Sequence, residues 1–226
     1  FLFMKNFVFD LYGTLADIHT DEKNPEFRKR VEKHFNRADF WERYTSLCKS
    51  LETGDEYCEF DLIKVFLQLF PSDAAGAARY FRGKSRLNFK AYRGVRRLLK
   101  SLKDRGAKLY ILSNAQACFT RGELEKLKFL RYFDGIELSS DFGRKKPCRQ
   151  FFEYAVEKYS MDKSETVYIG NDFRADVLGA KSAGLGTAYI KSNRSPAGDS
   201  LELAQNTADF ATDNFKQLSE YLLSLV

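Results

Sequence analysis

The stretch Phe7-Val8-Phe9-Asp10-Leu11-Tyr12-Gly13-Thr14-Leu15 constrains this chain more than any other. An apolar run of β type stops at an aspartate, and a Gly-Thr turn follows at once. Open α/β sheets bind ligands outside the carboxyl ends of their strands, so an acid at such an end faces a cleft. Taken alone, the string reads equally well as an Asp capping a tight turn. Three later segments in strand-end context shift that balance: Ile111-Leu112-Ser113-Asn114, Lys145-Lys146-Pro147, and Val167-Tyr168-Ile169-Gly170-Asn171-Asp172 running on to Asp176.

The rest of the chain supplies a setting for these segments. From about Asn24 to Lys84 the apolar residues recur at three and four, as in Phe27, Val31, His34 and Phe35 or Leu62, Val65, Phe66 and Leu69, which predicts helices without a strand. Pro25, Gly54-Asp55 and Pro71-Ser72-Asp73 punctuate this region into four helices of a small antiparallel bundle. Phe40, Trp41 and Tyr44 are expected in its core. After Asn88 the pattern alternates. Strands are expected at about 108–112, 135–138, 166–169, 187–190 and 208–211, and helices at about 92–104, 116–127, 147–159, 172–183 and 214–223. Such alternation predicts an α/β fold, a doubly wound parallel sheet joined by right-handed crossovers. The helical stretch is far longer than the ~2–6 residues of an ordinary βα connection. It therefore reads as an inserted module, residues 17–87, in a Rossmann-like core of residues 1–16 and 88–226, with hinges near Ala16-Asp17 and Asn88-Phe89.

In order and context, the four segments resemble the signatures of the haloacid dehalogenase-like hydrolase superfamily, in the branch whose helical cap follows the first signature. The resemblance implies that Asp10 is a nucleophile. A carboxylate of this kind splits one difficult transfer into two steps through a covalent intermediate. It further implies that Thr14, Ser113, Asn114 and the Leu11–Thr14 backbone bind phosphate, and that Lys146 neutralises nucleophile and substrate. The cofactor implied is Mg²⁺, a hard cation taking oxygen ligands and several waters, held by Asp10, the Tyr12 carbonyl and an acid of the last segment. Asp172 is the expected ligand there and Asp176 the acid behind Lys146, while Asp176 or Asn171 could take the ligand's place and Asp172 also fits a simple helix cap. Tyr12 departs from the pattern. Phosphatases of the superfamily carry a second Asp at that position for general acid and base work, and a phenol with an ordinary pKa near ~10 does this poorly. Asp-x-Tyr instead resembles the haloacid dehalogenases, which need no metal. The Asn171-Asp172 loop resembles the phosphatases. The reading is thus a Mg²⁺-dependent phosphatase of small phosphorylated metabolites, with Asp10, Tyr12, Lys146 and Asp176 as catalytic candidates. The alternatives are a metal-free 2-haloacid dehalogenase and a non-catalytic phospho-ligand-binding protein.

Composition narrows the partners. The net charge of +6 comes from Lys and Arg interleaved with acids, which is the pattern of solvated faces. No nucleic-acid-binding motif or stacking platform accompanies the basic residues, so a small anionic substrate is the expected partner. No apolar run approaches the ~20 residues of a membrane span, and the opening Phe1–Lys5 is too short for a secretory signal. The four cysteines show no metal-site spacing, and reduced thiols fit a cytoplasmic enzyme.

Overall fold

Strict alternation of side chains along three neighbouring strands builds the core. The computed structural model describes residues 3–226, so the reading of Phe1–Lys5 lies partly outside the described residues. In chain order the strands are β1 (Asn6–Phe9), β2 (Ala16–Thr20), β3 (Arg86–Ala91), β4 (Lys108–Ser113), β5 (Gly135–Leu138), β6 (Thr166–Gly170), β7 (Gly186–Ile190) and β8 (Phe210–Thr212). The helices are α1 (Pro25–Phe35), α2 (Phe40–Leu51), α3 (Ile63–Leu69), α4 (Ala74–Ser85), α5 (Val95–Asp104), α6 (Ala117–Lys126), α7 (Ser139–Phe142), α8 (Arg149–Lys158), α9 (Gly179–Ser182), α10 (Leu201–Gln205) and α11 (Phe215–Ser224).

Six strands form one parallel sheet in the order β5-β4-β1-β6-β7-β8. Phe7, Phe9, Leu109, Ile111, Val167 and Ile169 pack on one face with α5, α6 and α11. Val8, Tyr110, Leu112 and Tyr168 point to the other, against α8 and the α9 region. This is the doubly wound α/β architecture expected, and β1 lies at its centre. Within this sheet the chain runs from β1 out to β4 and β5 on one side and then crosses to β6 on the other, so the carboxyl ends of β1, β4 and β6 border a topological switch point.

Helices α1 to α4 form a second apolar cluster around Phe40, Phe66 and Phe81, with Phe27, Trp41 and Tyr44 packed about them. Phe119 of α6, a helix of the sheet domain, belongs to the same cluster. No strand interrupts residues 24–84, as expected, but two strands that were not expected flank that stretch. β2 and β3 pair as a two-stranded antiparallel ribbon that carries the chain into the module and back, and both expected boundaries fall inside it. The local sequence gives no such signal, because each strand is short and of mixed polarity and a two-stranded ribbon is stable only in tertiary context.

Other boundaries also move. The helix expected from Pro147 begins at Arg149, with Cys148 at its N-cap. The helix expected over 172–183 is a single π-type turn, Phe173–Leu178, followed by α9. The Asp172 side chain accepts from Ala175 N–H while Asp176 turns back to accept from Asn171 and Asp172 N–H. These side-chain acceptors compete with a regular helical ladder. Helices α7 and α10 were not expected. Among the described residues no helix is long and apolar enough to cross a membrane.

Phe81 is fully buried and its ring stacks on Phe119, centroids 6.3 Å apart. Phe81→Ala should cost about 3–5 kcal/mol, read as a shift of a single urea transition. Two separate transitions, with the sheet domain unshifted, would contradict the coupling of module and sheet through this contact.

Candidate active site

Asp10 follows β1 directly, and its N–H donates to Ile169 O at 2.8 Å, continuing the ladder to β6. Its side chain is thereby fixed at the carboxyl edge of the central strand. Oδ1 accepts from Ser113 Oγ, at the end of β4, and from Lys146 Nζ, both at 2.8 Å. Oδ2 has only a 3.5 Å contact from Thr14 Oγ1. One oxygen is pinned and the other is nearly unpartnered.

Lys146 is 3% exposed. Its ammonium donates to Asp10 Oδ1 at 2.8 Å, Asp176 Oδ1 at 2.6 Å and Tyr168 Oη at 2.6 Å, so its three hydrogens meet three acceptors. Tyr168 donates in turn to Leu112 O at 2.7 Å. Asp176, 1% exposed, accepts on Oδ2 from Asn171 and Asp172 N–H, each at 2.9 Å. Gly170 makes this possible, since a Cβ there would overlap the Asp176 carboxylate. Burial works against the Lys146 ammonium, but the carboxylates of Asp10 and Asp176 outweigh it and hold its pKa above the ordinary lysine value. Burial raises the Asp10 pKa, and the Lys146 charge opposes that rise.

Asp10, Ser113, Asn114, Lys146, Asp172 and Asp176 line one cavity of about 160 Å³. The expected residues therefore converge, with three revisions of role. Thr14 is buried and absent from that lining; it donates to Asn171 Oδ1 at 3.0 Å and comes within 3.5 Å of Asp10 Oδ2. Asn114 clamps the backbone of Lys146, accepting from its N–H at 2.7 Å and donating to its carbonyl at 3.0 Å. In the turn after Asp10, Gly13 N–H is already donated to Ala16 O.

Tyr12 lines the same cavity. Its hydroxyl donates to Glu123 Oε2 and lies 2.9 Å from Thr120 Oγ1. Glu123, on α6, also accepts from Arg82 of α4 at 2.8 Å and from Arg86 of β3 at 3.2 Å. Burial and the Glu123 carboxylate push the phenol well above its ordinary pKa. A proton so held is a poor acid for a leaving group. Sequence reasoning also missed Arg194, which lines the same cavity from the loop after β7. Asp17, next to one of the expected hinges, is 6% exposed and pairs with Arg194 at 2.7 Å. No local pattern announces contacts spanning so much of the chain.

The donor set suits a hard dication. Asp172 Oδ1 caps Ala175 N–H at 2.7 Å, as a helix cap would, but its second oxygen has no partner among the described residues. Burial raises the Asp172 pKa, and the like charges of Asp176 and Asp199 add to this although the Ala175 N–H opposes it. Asp172 and Asp10 thus offer carboxylates where a cation would relieve repulsion. Among the described residues no three His, Cys, Asp or Glu side chains are grouped so as to hold a metal ion by themselves.

Residues 7–190 match the family model of the haloacid dehalogenase-like hydrolases. The chain belongs to this family. A glyceraldehyde 3-phosphate phosphatase of Methanocaldococcus jannaschii is 27% identical over 195 residues, covering 83% of this chain and 85% of that one. An (S)-2-haloacid dehalogenase of a Pseudomonas species is 23% identical over 205 residues, covering 84% and 85%. Two further relatives, 29% and 30% identical over 125 residues, are spanned over only about half of their own length, 52% and 55%. Among solved structures, a haloacid dehalogenase-like phosphatase from Thermococcus onnurineus superposes with a TM-score of 0.65 at 25% identity, covering 97% of this chain and 98% of that one.

Replacing the buried cation gives a test of the electrostatics. Lys146→Met leaves the Asp10 and Asp176 carboxylates facing each other and should cost about 3–5 kcal/mol at pH 8. Burial already raises the Asp10 pKa and the Lys146 charge no longer opposes it, so Asp10 would bind its proton more tightly folded than unfolded and acidification to about pH 5 should restore part of the loss. Urea titrations at the two pH values check this; a variant losing stability on acidification as far as wild type does would contradict it.

Proposed function

We propose that the chain is a Mg²⁺-dependent phosphatase of small phosphorylated metabolites that works through an aspartyl-phosphate on Asp10, with the helical module as a cap. The observation carrying this reading is the asymmetry of the Asp10 carboxylate. Ser113 and Lys146 hold Oδ1 at 2.8 Å, which leaves Oδ2 to attack phosphorus with its lone pair aimed by the strand. Bound Mg²⁺, held by Asp10, the Tyr12 carbonyl and Asp172, would withdraw charge from the transferring phosphoryl group. Lys146 neutralises the nucleophile and keeps its pinned oxygen in place. The Asn114 clamp on the Lys146 backbone sets where that ammonium sits. Departure of the alkoxide completes the first transfer, and water then cleaves the acyl phosphate, returning the Asp10 carboxylate and releasing phosphate.

A chamber of about 480 Å³ adjoins the catalytic cavity, sharing Asn114, Lys146 and Asp172 and adding Glu56 and Tyr57 of the helical module. Its size supports a leaving group of metabolite scale, and the pairing of Arg174 with Glu56 at 2.6 Å supports closure of the cap across it. The Tyr12 phenol is tied to Glu123, which supports a preference for esters whose leaving group departs without a donated proton. Asn171 and Asp172 favour this reading over a metal-free dehalogenase, which has no use for a dication site.

Purified protein should release phosphate from p-nitrophenyl phosphate with Mg²⁺ and lose that activity with EDTA. Asp10→Asn should reduce turnover by at least about 10⁴-fold. Halide release from a 2-haloacid in EDTA, with phosphoesters untouched, would contradict the proposal. Tyr12→Phe should keep kcat within about threefold while costing about 1–2 kcal/mol of stability through the lost hydrogen bond. A fall of 10²-fold or more in kcat would return Tyr12 to the chemistry.

A further inference from the structure

We infer that Arg194 binds the anionic group of the substrate in the catalytic cavity, and that Asp17 is the residue that positions it. The inference rests on the phosphatase reading for its choice of anion, a phosphoryl dianion.

The argument begins with the donors an incoming anion would find. All three Lys146 hydrogens are taken by Asp10, Asp176 and Tyr168. The Ser113 hydroxyl hydrogen is given to Asp10. The carboxylates of Asp10, Asp172 and Asp176 line the cavity, and Lys146 and Arg194 are the cations among its lining residues. A phosphate dianion entering such a space needs a further cation with hydrogens to donate, and Arg194 is the residue placed to supply it.

Its geometry suits that work. Arg194 Nε donates to Asp17 Oδ1 at 2.7 Å, while its two terminal nitrogens have no hydrogen-bond partner among the described residues. A guanidinium held by Nε keeps a planar fork of N–H groups, the arrangement that meets two oxygens of a phosphate at once. The side chain is 30% exposed, so the fork is reachable from solvent.

Asp17 is built in rather than free. Its Oδ1 also accepts from Asn193 Nδ2 at 3.2 Å, and its Oδ2 accepts from Asn88 Nδ2 at 2.5 Å. Asn193 is fixed in turn by Tyr92 Oη at 2.6 Å. Against the penalty of burial, hydrogen bonds from Arg194 and Asn193 hold Asp17 below the usual carboxylate range, so it stays charged at neutral pH. Asp17 lies on β2 and Asn88 on β3, the two strands of the ribbon leading into the helical module. The far end of the Arg194 loop is tied to the π turn, since Asp199 Oδ2 accepts from Phe173 N–H at 2.7 Å. The anion-binding arm is therefore suspended between the ribbon and the loop that carries Asp172.

The test uses the full chain with Mg²⁺ and inorganic phosphate as the probe, by calorimetry and as a competitive inhibitor. Arg194→Gln should weaken phosphate binding by about ten- to a hundredfold and raise KM for p-nitrophenyl phosphate by a similar factor, with kcat changed by less than about threefold. Arg194→Lys should recover part of the affinity, because it restores the charge without the fork. Asp17→Asn should weaken binding less, and the Asp17→Asn/Arg194→Gln double variant should bind no worse than Arg194→Gln alone, because Asp17 acts through Arg194. Phosphate affinity unchanged in Arg194→Gln, or no phosphate binding by wild type, would overturn the inference. Additive losses in the double variant would overturn the role of Asp17. If wild type hydrolyses no phosphoester yet binds phosphate through Arg194, the proposed function falls and this inference stands. If hydrolysis proceeds and Arg194→Gln binds phosphate as wild type does, the reverse holds.

Discussion

A single buried ammonium organises this molecule's chemistry. Lys146 joins Asp10, at the end of the first core strand, to Asp176, in the turn after β6, and spends its third hydrogen on Tyr168. Two carboxylates this close and this buried repel each other strongly unless a cation lies between them. The arrangement requires β1, β4 and β6 to be neighbours, requires the Lys146 backbone to be clamped by Asn114, and requires a glycine at position 170. Sheet order, loop conformation and residue choice all serve that one contact.

The proposed chemistry is an extension of the same contact. A carboxylate with one oxygen held by an ammonium and a hydroxyl presents its other oxygen in a fixed direction, which lowers the entropic cost of attack. What the site lacks is equally informative. The residue two positions after Asp10 spends its hydroxyl on a Glu123–Arg82–Arg86 cluster that ties the catalytic turn to the helical module. The proposal accordingly favours leaving groups that need no proton.

Much of this was legible in the sequence, for a physical reason. Strands buried on both faces read as continuous apolar runs, so Phe7–Phe9, Leu109–Leu112 and Val167–Ile169 announced the sheet, and the polar residues that end them marked its carboxyl edge. Helix periodicity announced the four-helix module, and Phe40, Trp41 and Tyr44 pack in it as expected. The ribbon was hidden because Ala16–Thr20 and Arg86–Ala91 pair across a long insertion and carry no pattern of their own. The π turn was hidden because its side chains, not its backbone, decide the local hydrogen bonds. Arg194 and Asp17 were missed as partners because they lie far apart in the chain and no motif links them.

The proposed attack by Asp10 on phosphorus is tested most directly by trapping the intermediate. Protein mixed with p-nitrophenyl phosphate and Mg²⁺, quenched in acid and reduced with borohydride, should carry a homoserine in place of Asp10, identified by peptide mass. Label at another residue, or unmodified Asp10 in protein that is turning over substrate under conditions where acyl phosphates are retained, would contradict the account.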